Sequence, residues 1–158
     1  MRVRHLVFLS LFLALPAQAD RLQPGDWIGS AGVGFIAPPG LFLVSPHLEK
    51  VYRRNLFLGA LIQAGLGGPG ALFSVTATAR MQVGRHPRLR PILEAGVGMT
   101  SATGAFSSAF GINLHMGMGL DYLLEQDIAL STVIRANFAP PVQSFFLSWP
   151  IFQVRYLF

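Results

Sequence analysis

Arg80, Glu94, His115 and Arg135 are the residues of this chain whose types could do chemistry together. A histidine and a glutamate at hydrogen-bond distance can act as general acid and base. The same residues with two arginines could instead neutralise one another, since charges taken out of water need partners. His47 and Glu49 form a second pair, but ligands two residues apart are a weak metal signal. Met116 and Met118 could offer thioether sulfurs, although the alternation described below makes them simple apolar fill. The absence of cysteine excludes a thiolate metal site, a disulfide framework and a lipid-anchored cysteine. No metal, cofactor or catalytic residue is therefore expected, and the role of the Arg80 group depends on what positions it.

Composition narrows the positioning elements. Of 158 residues, 52% are hydrophobic and 12% charged, half the roughly 25% charge of a soluble domain. Disorder is excluded by the amount of apolar surface available for burial, and the length suits one domain. Either the chain meets lipid, or it hides far more than a soluble domain does.

At the N-terminus, Arg2, Arg4 and His5 precede an apolar run from Leu6 to Leu15, then Pro16 and Ala17-Gln18-Ala19. This pattern predicts a secretory signal peptide over residues 1–19, cleaved before Asp20, and a single domain over 20–158. Without Arg2 and Arg4, ten of the 12 basic side chains remain against seven acidic ones, an excess too small to suggest nucleic acid.

No later stretch reaches the eighteen or so apolar residues of a membrane-spanning helix. The remaining way to cross lipid with every backbone group satisfied is a closed barrel of strands, so period two is the decisive pattern. It is clear where Phe110, Ile112, Leu114, Met116, Met118, Leu120 and Tyr122 take alternate positions against Gly111, Asn113, His115, Gly117, Gly119 and Asp121. Ala71 to Val83 repeats it, with Ser74, Thr76, Thr78, Arg80 and Gln82 on the polar row. Eight strands follow: Trp27 to Ile36, Leu41 to Tyr52, Leu56 to Leu66, Ala71 to Val83, Arg90 to Met99, Phe110 to Tyr122, Ile128 to Phe138 and Phe145 to Phe158. Gly, Pro and polar clusters separate them, as hairpin turns require.

Charge tests the assignment. Glu49, Arg80, Arg90, Glu94, Asp121, Arg135 and Arg155 fall on the row opposite the apolar one. Lys50 does not, but it lies near a strand end, where a long side chain can snorkel to the interface. The fold class is all-β: an eight-stranded antiparallel up-and-down transmembrane barrel, polar inside and apolar outside. A lipocalin-like soluble barrel has the opposite polarity.

At the C-terminus Phe152, Val154, Tyr156 and Phe158 alternate. This resembles the assembly signal that the outer-membrane machinery reads in bacterial barrel proteins. Together with the signal peptide and eight amphipathic strands, it resembles the small outer-membrane barrel superfamily, the outer-membrane protein A-like and X-like barrels. The resemblance covers the mature chain and implies a Gram-negative outer-membrane location, contact with outer-membrane lipid, handling by the barrel-assembly machinery and a monomer. It leaves activity open, because that superfamily includes pores, adhesins, stability proteins and lipid-modifying enzymes.

The family topology would place both termini and the turns after strands 2, 4 and 6 in the periplasm. Arg53, Arg54, Arg85, Arg88, Glu125 and Asp127 lie in those turns, whereas the four opposite connections hold no charge. Short uncharged outer loops count against an adhesin.

Folding each hairpin at its turn sketches the lumen. Pairing Val83 with Arg90 puts Arg80 opposite Leu93 and beside Glu94. Pairing Met99 with Phe110 puts Glu94 opposite His115, and pairing Tyr122 with Ile128 puts His115 opposite Arg135. Arg80, Glu94, His115 and Arg135 thus form one inward row, read as a structural plug, since an eight-stranded barrel is just wide enough for side chains to fill. Catalysis is the alternative. Lipid A deacylases are barrels of this size, but theirs is a lipid-facing His-x-Ser pattern, and no histidine here has a serine two residues on. Inward glycines (Gly32, Gly34, Gly59, Gly65, Gly96, Gly98, Gly111, Gly117 and Gly119) with Phe145, Leu147 and Trp149 beside them leave a narrow pore or a hydrophobic small-molecule cavity as a further alternative. Pro150 could place a bulge there.

Overall fold

A computed structural model describes residues 22–68, 70–84, 86, 88–104 and 109–158. The predicted signal peptide, Arg85 and part of the connection after strand 5 lie outside them. The described residues form eight strands: β1 (Trp27–Ala37), β2 (Leu41–Arg53), β3 (Leu56–Gly67), β4 (Gly70–Gln82), β5 (Leu89–Gly104), β6 (Ala109–Leu123), β7 (Ile128–Ala139) and β8 (Gln143–Leu157). Each pairs antiparallel with the next, and β8 pairs with β1 to close the barrel. Closure leaves no edge strand and satisfies the backbone within the wall.

Alternation does what the sequence requires of it. In β4, Leu72, Ser74, Thr76, Thr78 and Arg80 are buried while Phe73, Val75, Ala77, Ala79 and Met81 are exposed. In β6, Ile112, Leu114, Met116 and Met118 face outward, Met116 being 74% exposed. Phe35, Phe42, Phe73, Phe110, Phe138 and Phe145 ring the outer wall toward the loop end, and Trp27, Tyr52, Tyr156 and Phe158 toward the turn end. An apolar band between two aromatic girdles is what a barrel in lipid presents. Placing a charge in the middle of this band with Met116→Arg should lower unfolding stability in lipid vesicles by about 2–4 kcal/mol, read from urea titration of tryptophan fluorescence.

Three expectations need correction. β5 continues to Gly104 rather than ending at Met99, because Thr100 to Gly104 find partners in Gly70 to Ser74 of β4. The sketched registers are also displaced. Arg80 pairs with Glu94 itself, Glu94 with Gly117 and His115 with Asn137. Arg80 could not pair with Leu93, since directly opposed residues must share a face.

The third correction concerns β8. Phe145 and Leu147 face outward, while Phe146, Ser148 and Pro150 face inward. Ile151 and Phe152 are both exposed, and the β1 register shifts between Val33 and Gly34, opposite this point. One extra residue at the bulge reverses the alternation above it. Pro150, which has no N–H to give the ladder, marks the place. The indole of Trp149 donates to Thr132 Oγ1 at 2.8 Å, and Thr132 donates to the Pro150 carbonyl at 3.3 Å, binding the wall where pairing of β7 with β8 lapses.

Candidate functional site

The lumen is the candidate site, and its centre is ionic. Glu49 on β2, Arg80 on β4, Asp121 on β6 and Arg155 on β8 reach inward from alternate strands and meet near the turn end. Arg80 Nη2 donates to Asp121 Oδ1 at 2.6 Å and to Ser131 Oγ at 2.8 Å. Arg155 donates to the other Asp121 oxygen and, at 2.8 Å, to Glu49 Oε2. Glu49 returns to Arg80 at 3.8 Å, completing a ring of alternating charge across the barrel. Gln82 supports Asp121 at 3.1 Å and accepts from Arg90 at 3.3 Å.

The row expected from the sequence adjoins this ring. Arg135 Nε donates to Glu94 Oε1 at 2.6 Å, His115 Nε2 lies 3.2 Å from the same oxygen, and Arg80 Nη1 is 3.9 Å from Glu94 Oε2. Arg80 therefore touches all three buried carboxylates. Three arginines balance three acids among the fully buried charges, so the cluster is neutral without counter-ions. His47 and Glu49 share a face, yet each already has a protein partner: His47 Nε2 is 2.8 Å from Thr78 Oγ1 and Glu49 receives Arg155. His47 Nδ1, Glu49 Oε1 and Arg135 Nη1 have no hydrogen-bond partner among the described residues, positions that internal water ordinarily serves.

Toward the loop end the network becomes neutral. Asn113 donates to Ser74 Oγ at 2.8 Å, and Asn137 donates to Ser148 Oγ at 3.0 Å. Beyond them Ile36, Leu41, Leu43, Leu72, Ala139 and Phe146 pack into an apolar cap. At the opposite end Ile28, Val51 and Phe57 close over the ring with Leu22 and Leu157, and Arg155 lies over the Phe57 ring at 5.4 Å. A cleft beside Arg155 and Asp121 holds only about 40 Å³, far below the roughly 300–1,000 Å³ of ordinary ligand pockets.

Sequence reasoning found the inward direction of Glu49, Asp121 and Arg155 but not their union with Arg80. Counting strand parity across β2, β4, β6 and β8 at one height was the available signal, because inward residues of alternate strands stack in layers. Inward glycines serve their large neighbours. A side chain at Gly65 would meet Ile36 and Leu41 of the cap, and one at Gly96 would meet the His115 ring. The C-terminal residues Phe152, Val154, Tyr156 and Phe158 are all exposed on the outer wall.

No protein-family model matches the chain, and no curated protein matches it in sequence. Solved structures do match. The chain is similar to the N-terminal β-barrel domain of Pseudomonas aeruginosa OprF, with a TM-score of 0.67 and 17% identity over 86% of this chain and 98% of that one. Neisserial surface protein A matches with a TM-score of 0.63 and 18% identity over 86% and 98%. The outer membrane enzyme PagL matches with a TM-score of 0.53 and 14% identity over 82% and 97%. The fold of this chain is that of the small eight-stranded outer-membrane β-barrels.

Proposed function

We propose that the protein is an integral outer-membrane barrel of the Gram-negative envelope, exported by its signal peptide, inserted by the barrel-assembly machinery as a monomer, and structural rather than enzymatic. The observation that carries this reading is a lumen occupied along its length by its own side chains: apolar caps at both ends and a neutral ionic ring between. The glycine row supports it over a hydrophobic cavity, since neighbouring side chains take the space at Gly65 and Gly96.

The likeness to PagL raises the enzyme alternative. Against it, His115 and Glu94 are buried in the lumen and engaged with Arg135, and His47 and Glu49 are buried there too, so no acyl chain on the outer wall could reach them. Lipid A mass profiles should accordingly be the same with and without the protein.

Two measurements test the main reading. The protein should fractionate with the outer membrane and change gel mobility on boiling; a freely soluble product would reject it. In planar bilayers the wild-type barrel should show no steady conductance, and neither should Glu94→Ala alone, because the Phe146 cap still closes the loop end. Steady wild-type channels would overturn the closed lumen.

A further inference from the structure

We infer that the outer wall at the turn end carries a subsite for the phosphate headgroup of an anionic phospholipid, built on Lys50, Arg53, Arg54 and Tyr52. The inference rests on the membrane reading above. Lys50 lies on the outward row of β2 and is exposed. Its neighbours across the ladder are Trp27 on β1 and Leu58 on β3, so an ammonium stands in a row of apolar groups within the lower aromatic girdle. It is held rather than loose: Nζ lies 5.5 Å from the centre of the Trp27 ring, an attractive arrangement for a cation.

A hollow of about 350 Å³ opens beside it, lined by Pro24, Gly25, Lys50, Val51, Tyr52 and Leu58. The segment before β1 forms one wall of this hollow. Gly25 donates to the Val51 carbonyl at 2.8 Å, and Val51 donates to the Asp26 carbonyl at 2.8 Å. The Asp26 carboxylate, on that segment, accepts the Gln23 amide at 2.8 Å within its own turn, and Glu49, which directly precedes Lys50, faces the lumen. Arg53 stacks against Tyr52 at 5.9 Å, and Arg54 follows in the exposed turn. Lys50 thus stands at the edge of a largely apolar hollow, and Arg53 and Arg54 follow it in sequence toward the aqueous side.

That combination fits an amphiphile better than a soluble anion. A phosphate at Lys50 would have arginines on its aqueous side, and its acyl chains would run along Leu58, Leu48 and Ile62, all exposed on the same wall. Cations near a lipid surface attract anionic headgroups. The loop end offers no equivalent, because its connections carry no charge. The subsite therefore favours an anionic glycerophospholipid in the leaflet at the turn end.

The test is native mass spectrometry of the folded barrel in detergent, with phosphatidylglycerol, phosphatidylethanolamine, lipid A or inorganic phosphate added separately. Phosphatidylglycerol adducts should be retained several-fold more than phosphatidylethanolamine adducts. Lys50→Gln, or Arg53→Gln with Arg54→Gln, should lower that retention at least fivefold, while Arg88→Gln in another turn leaves it unchanged. Equal retention of both phospholipids, an equal loss in Arg88→Gln, preferential retention of lipid A, or phosphate binding as well as the lipid would each overturn the subsite. Heat-modified gel mobility is read on every variant, so failure of the barrel itself is recognised separately.

Discussion

Arg80→Met should destabilise the folded barrel by about 3–5 kcal/mol, the usual penalty for removing one partner of a buried ion pair. The reason lies in its position. Arg80 is fully buried and, among the described residues, is the only cation paired with Asp121, Glu49 and Glu94 together. Its loss leaves two positive charges against three negative ones among buried side chains that lie between two apolar clusters. Arg155 still holds Asp121 and Glu49, and Arg135 still holds Glu94, so the barrel should form but unfold at lower urea. The double variant Arg80→Met with Asp121→Asn restores neutrality and should recover part of the loss. Urea titration in lipid vesicles measures both, and an unchanged midpoint for Arg80→Met would show that solvent in the lumen screens the ring.

Gly98→Ala should have a larger consequence, abolishing the folded, heat-modifiable form. Gly98 pairs with Thr76, and a Cβ on it would strike the Val75 carbonyl oxygen and the Thr76 Cα of the adjacent strand. Those are backbone atoms, so no rotamer change relieves the contact and the β4–β5 seam must part. Gly68→Ala is the control, because a Cβ there meets nothing within 4 Å. Gel mobility before and after boiling separates the outcomes; a Gly98→Ala protein that remains folded would mean the wall yields there at low cost.

The same contrast explains what the chain reveals before folding. Period-two alternation in Ala71 to Val83 and Phe110 to Tyr122 sufficed to place strands and faces, since side-chain direction along a strand follows from its pleat. It sufficed also for the inward direction of all six fully buried charges. It failed above Pro150, where one bulged residue exchanged Phe145 and Leu147 for Phe146 and Ser148, because parity survives only while pairing is regular. It failed as well for the partners across hairpins, because turn length sets the register, and misplacing a strand end by a residue or two moves every partner along the ladder.

By itself the sequence determined a closed barrel with an apolar exterior and a charged interior, because a chain so poor in charge must sort its residues by face. Which charges meet was decided only by the tertiary structure. Arg80, Asp121, Arg155 and Glu49 sit on four different strands, and their distances depend on how far each strand is displaced as the sheet closes. That displacement is a property of the whole barrel, and no local stretch of residues encodes it.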